Sequence, residues 1–277
     1  MIATLAAILE TAVEYGHIDR NVAKGKRRRL KAPRPQRVTL TRAEHIEALL
    51  EAAAAMDKSG RSERYRRPLL GILVFAGPRI TEALTLRRRD IDLPGQRLVI
   101  NGTKTDAAQR VVELAPILHD ILSAYLAEQN LAPDDLLFGT RSVTDRYEGG
   151  RPRGASNIRL RVLERAVEKA NAQLIKRDVE PIPQGVTPHG LRRTFVSILC
   201  ARGVDLPAAM RQAGHTTPQM TLGIYATAWD SSEEERKKLA RLWNGEPVED
   251  TQKGRGMGSS PPKPVSQAGS LDARSKA

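Results

Sequence analysis

The densest cluster of chemically capable residues lies at 187–194, which read Thr-Pro-His-Gly-Leu-Arg-Arg-Thr. Thr187 suits the N-cap of a helix, and Pro188 suits its first position, where a missing N–H does no harm. His189 and Arg192 are three residues apart and therefore share one face of the first turn, beside the positive end of the helix dipole. Two potential cations and free backbone donors that point the same way favour a phosphate site. An H-x-x-R pair alone is more often an ordinary exposed pair.

Four further segments place a potential ligand or nucleophile at a helix start or in a tight turn. They are residues 77–84 with Arg79 near the start of a predicted helix, residues 101–106 with Lys104 on a predicted hairpin, the pair Gly214-His215, and Tyr225 ten residues later on a helix capped by Thr217-Pro218. Each is weak evidence by itself. Tyr225 alone would be better explained as a half-buried packing residue, and a short hairpin tolerates a lysine at any position.

Taken together, the five motifs resemble the tyrosine recombinase (phage integrase) family. That family has an arginine in a G-x-R-x-x-E segment, a lysine in T-K-T, an H-x-L-R-R-T helix, a G-H pair and a tyrosine about ten residues later. All five occur here in that order, across residues 38–243. The ordered set is far more specific than any one of its members.

The resemblance implies a covalent reaction with DNA, centred on Tyr225. Its hydroxyl attacks the scissile phosphate and gives a 3′-phosphotyrosyl bond and a free 5′-hydroxyl, so the bond energy is kept for rejoining. Because a tyrosine has a reference pKa near 10, a base must help it at neutral pH. The resemblance assigns that task to His189, and it assigns protonation of the departing 5′-oxygen to Lys104.

The same resemblance implies a clamp on the phosphate. Arg79 and Arg192 offer bidentate donors to the non-bridging oxygens, and His215 adds a third donor. We expect both arginines to face the substrate rather than the core, and Glu82 to orient an arginine or a histidine. Since these cations supply the charge that a divalent ion supplies in many nucleases, we predict no metal and no other cofactor.

Composition favours an anionic partner. Lysine and arginine outnumber aspartate and glutamate by 45 to 32, for a formal net charge of +13. Each neutralised phosphate releases condensed counterions, so we expect double-stranded DNA as the partner, with self-association on that DNA. A charge that only aids solubility is the alternative.

Cysteine content and hydropathy bear on the compartment. The single cysteine, Cys200, excludes an internal disulfide and a thiolate metal cluster. That is typical of a reducing cytoplasm, and we expect association with the nucleoid there. No apolar run reaches the roughly 18 residues that a membrane span needs, so we expect no membrane partner.

Hydrophobic periodicity predicts a mainly α fold with a small antiparallel β-sheet (α+β), which agrees with a tyrosine recombinase catalytic domain. Helical patterns cover residues 2–15, 41–56, 62–76, 79–88, 116–129, 156–175, 188–202, 206–213 and 218–228, and short strands are predicted at 97–101 and 110–114. We predict three regions. Residues 1–37 resemble the last helix of a core-binding domain followed by a basic linker, residues 38–243 form the catalytic domain, and residues 244–277 form a disordered tail.

The leading functional hypothesis is a site-specific recombinase or integrase. The family usually has a complete helical core-binding domain before the linker, of which residues 1–16 resemble only the end, so we expect the short N-terminus to impair recombination. The alternative is a catalytically idle DNA-binding remnant or regulator derived from an integrase. A type IB topoisomerase would share the same chemistry.

Overall fold

A computed structural model describes residues 2–24, 38–59, 64–102, 109–140, 150–215, 217–229 and 231–248. The chain divides into two units, Met1–Val38 and Thr39–Ala277. In the part of the chain that is described, no helix is long and apolar enough to cross a membrane. Residues 25–37 of the predicted basic linker and residues 249–277 of the predicted tail lie outside the described residues.

The first unit contains helix α1 (Ile2–Glu14), as the helical pattern predicted, and a short 3-10 turn at Val22–Lys24. Asn21 connects the two, because its Nδ2 atom donates to the Ala6 carbonyl at 2.8 Å and to the Glu10 carboxylate at 2.6 Å. Lys24 pairs with the same carboxylate.

The second unit is mainly helical with one small sheet, so the predicted fold class is confirmed. Its helices are α2 (Ala43–Ser59), α3 (Arg66–Phe75), α4 (Ile80–Thr85), α5 (Pro116–Ala127), α6 (Ala155–Asn157), α7 (Glu164–Lys176), α8 (Pro188–Ala201), α9 (Leu206–Ala213), α10 (Pro218–Trp229) and α11 (Glu233–Asn244). A π-helical turn, Ile158–Leu163, joins α6 to α7.

Helix α8 lies at the centre of this unit. Ten of its 14 residues are buried, and it packs against α3, α9, α10 and α11. Apolar residues recur around the whole helix after its first turn, which is what a helix surrounded by others requires. Cys200 is buried here as a small hydrophobic residue. The first turn of α8, which carries His189 and Arg192, is thereby fixed relative to four other helices.

The sheet has three antiparallel strands in the order β1 (Ile91–Asp92), β2 (Arg97–Ile100) and β3 (Arg110–Glu113). β2 and β3 correspond to the two predicted strands, whereas the two-residue β1 was not predicted. Leu98 pairs with Val112, and both side chains are buried. The last pair before the hairpin loop is Ile100 with Arg110. Lys104 belongs to this loop and lies outside the described residues.

Two helix predictions need correction. The pattern over 79–88 predicted one helix, but α4 ends at Thr85. The Asp90 carboxylate accepts a 2.7 Å hydrogen bond from the Arg87 backbone N–H, which starts a separate 3-10 turn that leads into β1. Helix α11 was not predicted, although Ser232 and Glu235 form a capping box at its start and Gly245 ends it in the left-handed conformation. That pair is a sequence signal for a helix start.

The missed helix α11 supplies much of the aromatic core. The Trp243 side chain is 1% exposed, and its ring centroid lies 6.3 Å from that of Phe75 and 6.5 Å from that of Phe195. The Arg202 guanidinium lies 4.2 Å above the indole. Trp243 therefore attaches α11 to α3 and to the middle and C-terminal end of α8.

We expect Trp243→Ala to lower the free energy of unfolding by about 3–5 kcal/mol, because a large buried aromatic side chain is replaced by a cavity. Urea denaturation followed by circular dichroism measures the change. Leu160→Ala is the control, since Leu160 is 54% exposed and should change stability by less than about 0.5 kcal/mol. Equal stability of the two variants would show that α11 is not part of the cooperative core.

Candidate active site

Arg79 stands at the N-cap of α4, in an extended conformation. The turn before it depends on Gly77, whose φ is +59° and whose missing Cβ would lie 2.8 Å from the Phe195 Cγ atom. The Arg79 backbone N–H and guanidinium both donate to Glu82, at 2.8 and 2.7 Å. Because the Arg79 side chain is still 50% exposed, it can bind Glu82 and a ligand together.

Glu82 is a carboxylate with a 1% exposed side chain. Besides Arg79, it accepts a 2.8 Å hydrogen bond from Arg110 and lies 3.9 Å from Arg192. Burial raises the pKa of Glu82, but the hydrogen bonds from Arg110 and Arg79 outweigh it and lower that pKa to about 2. Glu82 is therefore ionised at neutral pH and orients arginines, in agreement with the role expected for it.

Arg192 extends from the first turn of α8 into the core. Its Nη1 atom donates to the Gly77 carbonyl at 2.7 Å, and its Nη2 atom donates to the carbonyls of Ala213 and Gly214. The side chain is 2% exposed. The expectation that Arg192 faces the substrate rather than the core is therefore wrong for this conformation. Helix α9 ends beside the guanidinium, and its unpaired carbonyls attract the charge.

The arginines also act on one another. Burial and the positive charges of Arg110 and Arg79 together lower the pKa of Arg192 to about 10, against the opposing effect of Glu82. At neutral pH Arg192 remains a cation. Three guanidinium groups thus share a single buried carboxylate, which leaves an excess of positive charge.

His215 lies at the edge of this cluster. Burial, and after it the neighbouring Arg192, Arg79, His189 and Arg110, lower the pKa of His215 to about 4. The imidazole is therefore neutral at pH 7. A 2.8 Å hydrogen bond joins its Nδ1 atom to the hydroxyl of Thr221, which is fully buried on α10.

His189 occupies the exposed second position of α8. The Thr187 hydroxyl accepts a 3.0 Å hydrogen bond from the Gly190 N–H, so the predicted N-cap is confirmed. His189 contributes to the low pKa of His215, which puts the two imidazoles within electrostatic reach. The structure thus brings four of the predicted residues together: Arg79, His189, Arg192 and His215.

Tyr225 behaves differently from these four residues. Its ring is partly buried on α10, and its hydroxyl donates a 2.6 Å hydrogen bond to the Val204 carbonyl, between α8 and α9. Burial raises the pKa of Tyr225 to about 12, with smaller contributions from Cys200 and Asp205. In this conformation the hydroxyl is engaged by the α8–α9 loop.

Sequence reasoning missed two residues of the site, Arg110 and Thr221. Arg110 begins β3 and reaches Glu82, which is 28 residues earlier in the chain. Thr221 holds His215 from a buried helix position. A charged residue at the first position of a strand and a threonine in an apolar helix were the available signals, and neither is specific.

A cleft with a volume of about 1360 Å³ opens between the hairpin and α9. Four arginines are among its lining residues, Arg79, Arg97, Arg110 and Arg211, together with Glu113 and the neutral His215. This excess of guanidinium charge suits the cleft to an anion. Within the described ranges, no group of three or more histidine, cysteine, aspartate or glutamate side chains could hold a metal ion.

Known proteins are similar to this chain in sequence and in fold. Tyrosine recombinase XerA of Thermococcus kodakarensis is 29% identical over 216 residues, which cover 76% of this chain and 67% of that protein. Tyrosine recombinase XerC of Nitrobacter winogradskyi is 28% identical over 196 residues, covering 65% of this chain and 54% of that protein. The chain spans about half the length of several such relatives.

Two solved structures have the same fold. The Tn1549 transposon integrase, in complex with a circular intermediate DNA, matches with a TM-score of 0.57 at 20% identity, over 87% of this chain and 77% of that chain. The crystal structure of XerA recombinase matches with a TM-score of 0.53 at 21% identity, over 85% and 73% of the two chains.

The family itself follows from the profile match. The sequence profile described as phage integrase family matches residues 39–231, which is more than half of the chain. That range contains all six residues that the motifs singled out. The chain belongs to the phage integrase family of tyrosine recombinases.

Proposed function

We propose that this protein is a site-specific DNA recombinase that cleaves and rejoins strands through a 3′-phosphotyrosyl bond to Tyr225. The observation that carries the proposal is the buried Glu82 carboxylate with three arginines around it. Such a cluster holds its donors in place before the substrate arrives, which is the condition for stabilising charge in a transition state.

The cluster supports binding of one phosphate group. Arg79 lies at the N-terminus of α4, and α8 points its positive end toward the same region. With the charge of Glu82 compensated by one arginine, two guanidinium charges remain for an anion. Arg79 is the exposed donor, so it makes the direct contact, while Arg192 supplies buried charge and fixes the surrounding turns.

His215 fits the role of a neutral donor. Because the pKa of His215 is lowered to about 4, the ring carries a single N–H at pH 7. If its Nδ1 atom accepts the Thr221 hydroxyl proton, the Nε2 atom holds that N–H and can donate it to a non-bridging oxygen. Thr221 would then select the tautomer.

The proposed chemical step needs no cofactor. The Tyr225 oxygen forms a bond to phosphorus, its proton passes to His189, and the bond to the 5′-oxygen breaks. Lys104 gives a proton to that oxygen. Before this step the Tyr225 hydroxyl must leave the Val204 carbonyl, which at 2.6 Å holds it. Rejoining is the reverse, with a 5′-hydroxyl as nucleophile.

One observation favours the second candidate, an idle DNA-binding remnant or regulator. The Tyr225 hydroxyl is hydrogen-bonded to Val204, and the pKa of Tyr225 is raised to about 12. A protein locked in this conformation would bind DNA without cutting it. The arginine cluster favours the first candidate, because binding alone does not require a buried carboxylate that fixes guanidinium groups.

The proposed partner is double-stranded DNA, on which copies of this chain associate, with the nucleoid as the place of action. The net charge of +13 supports the electrostatic part of this binding. The Tn1549 integrase was solved with a circular intermediate DNA, and a lambda integrase dimer was solved bound to a core site.

We expect Tyr225→Phe to abolish covalent attachment to DNA while leaving DNA affinity within about three-fold of wild type, because only the nucleophilic oxygen is removed. The substrate is a nicked suicide duplex whose sequence is selected from a randomised pool by binding. Attachment is read as a protein–DNA band that survives SDS, in excess EDTA.

Tyr125→Phe is the matched control, since Tyr125 is also a tyrosine whose hydroxyl donates to a backbone carbonyl, that of Leu137 in the core, outside the arginine cluster. That variant should form the adduct. An adduct in Tyr225→Phe would assign the nucleophile elsewhere. A wild-type protein that binds the duplex but never forms an adduct would favour the idle remnant.

Arg79 and Arg192 should respond differently to substitution by alanine. Arg79→Ala should slow cleavage at saturating DNA by on the order of 10²-fold, as loss of a transition-state donor does, and change stability by less than about 1 kcal/mol because the side chain is half exposed. Arg192→Ala should lower stability by about 2–4 kcal/mol, since it leaves the buried carbonyls of Gly77 and Ala213 without their donor and removes a positive charge beside Glu82. Thermal unfolding and single-turnover cleavage separate the two effects, and an unaltered melting temperature in Arg192→Ala would contradict the buried role.

The pKa of His215 predicts a pH dependence of stability. The unfolded chain takes up a proton near pH 6.5 and the folded protein only near pH 4, so protonation in this range favours unfolding. The stability contribution of neutral His215 is therefore complete above about pH 6.5 and is lost as the pH falls toward 4. The free energy of unfolding of the wild type, measured in urea, should fall over this interval by on the order of 1–2 kcal/mol more than that of His215→Gln. Parallel pH profiles would show that the ring is not held in its neutral form.

A further inference from the structure

Arg110 connects parts of the site that are distant in sequence. It starts β3 beside the hairpin loop, and its side chain is only 8% exposed. Its Nη2 atom donates to the Glu82 carboxylate at 2.8 Å, and its Nε atom donates to the Gln212 carbonyl at 3.1 Å. One guanidinium thus joins the hairpin, α4 and the end of α9.

The Gln212 bond belongs to a set that fixes the C-terminus of α9. A helix leaves its last carbonyls without partners inside the helix. The Gly214 and His215 N–H groups donate back to Arg211 and Met210, at 3.1 and 3.0 Å. Arg110 binds the carbonyl of residue 212, and Arg192 binds those of residues 213 and 214. The two arginines therefore hold the backbone that leads directly into His215.

Gly214 fits against the Arg110 side chain. Its φ is +62°, and a Cβ at this position would lie 3.1 Å from both the Cδ and Nη1 atoms of Arg110. Both the left-handed conformation and the close guanidinium therefore favour glycine before His215. The G-H pair and the strand that follows the hairpin are thus parts of one packing arrangement.

Arg110 also controls the charge of Glu82. Burial raises the pKa of Glu82, and the largest opposing effect is the hydrogen bond from Arg110. With Arg110 present, the exposed Arg79 guanidinium need not neutralise the carboxylate by itself. Without Arg110, Glu82 would attract the Arg79 side chain more strongly and away from a bound phosphate.

We propose that Arg110 is a positioning residue of the cleavage site, which holds the turn at residues 212–215 against Glu82 and thereby sets the spacing between Arg79 and His215 at the scissile phosphate. This inference rests on the proposed recombinase function. Arg110 acts through these neighbours: its hydrogen bonds go to Glu82 and to the Gln212 backbone.

Single-turnover cleavage at saturating suicide DNA tests the proposal. Arg110→Ala should cleave on the order of 10²-fold more slowly than wild type, with a Kd for DNA within about three-fold, because a misplaced clamp affects the transition state more than binding. Arg110→Lys preserves the charge and the pairing with Glu82, so it should fold like wild type. It should cleave about ten-fold more slowly, because one ammonium cannot take both the Nε and Nη2 positions.

Arg66→Ala is the matched control. Arg66 is also a mostly buried arginine, paired with Asp57 at 3.1 Å between α2 and α3. Its replacement should cost comparable stability. At a temperature where both variants are fully folded, Arg66→Ala should cleave at the wild-type rate.

A second readout does not depend on cleavage. The charge of Arg110 is one of those that lower the pKa of His215, so the imidazole nitrogen resonances of His215 should titrate at higher pH in folded Arg110→Ala and stay unchanged in Arg66→Ala. This NMR titration tests the positioning role of Arg110 separately from the proposed recombinase function. If wild type forms no adduct but the His215 titration moves, the proposed function fails and the positioning contact stands.

Three results would overturn the role of Arg110. The first is a cleavage rate within three-fold of wild type in both Arg110→Lys and folded Arg110→Ala. The second is a loss of cleavage rate in Arg66→Ala equal to that in Arg110→Ala. The third is a His215 titration that is the same in Arg110→Ala as in wild type.

Discussion

The contact between the Glu82 carboxylate and its arginines is the interaction on which the rest of the site depends. Without Glu82, the guanidinium groups of Arg79, Arg110 and Arg192 would repel one another, most strongly between the two buried ones, where water screens charge poorly. With a second carboxylate, the excess of two positive charges would fall to one, and the attraction for a phosphate in the proposed reaction would weaken. One carboxylate among three guanidinium groups holds the cluster together and leaves an excess of positive charge that an anion can neutralise. The low pKa of Glu82 means that this balance persists through the neutral range.

Arg110 and Arg192 also bind the backbone carbonyls at the C-terminus of the short helix α9. Helix α9 has eight residues, so its terminal carbonyls are a large part of its hydrogen-bonding groups. Buried guanidinium groups complete them, and positive charge is favourable at a helix C-terminus. The same guanidinium groups therefore end a helix and carry the charge that the proposed function assigns to substrate binding. This is why Arg192 lies in the core although its motif is typical of a substrate contact.

How far the sequence predicted the site depends on how local each feature is. The N-cap at Thr187 and the bounds of α9 follow from residues within one or two turns, and these predictions were accurate. The burial of Arg192 and the role of Arg110 depend on partners up to 115 and 102 residues away, which no local pattern contains. The end of α4 was missed because Asp90 competes for the backbone three residues before it. Helix α11, by contrast, begins with the capping-box pair Ser232 and Glu235, so its start could be predicted from the sequence.

Tyr225, the proposed nucleophile, and the arginine cluster around Glu82 differ in how far this structure prepares them for the proposed reaction. In the proposed reaction, Tyr225 needs a base, yet burial and the Val204 carbonyl favour its protonated form. The arginine cluster, by contrast, is fully organised, because its hydrogen bonds to Glu82 and to backbone carbonyls require no substrate. The electrostatic half of the proposed site is therefore formed in advance, whereas the nucleophilic half requires the Tyr225 hydroxyl to leave the Val204 carbonyl. Thr221 and Tyr225 lie one turn apart on α10, so a shift of this helix that freed the Tyr225 hydroxyl would also act on the hydrogen bond of His215. Such a shift would couple release of the proposed nucleophile to adjustment of the proposed phosphate donor.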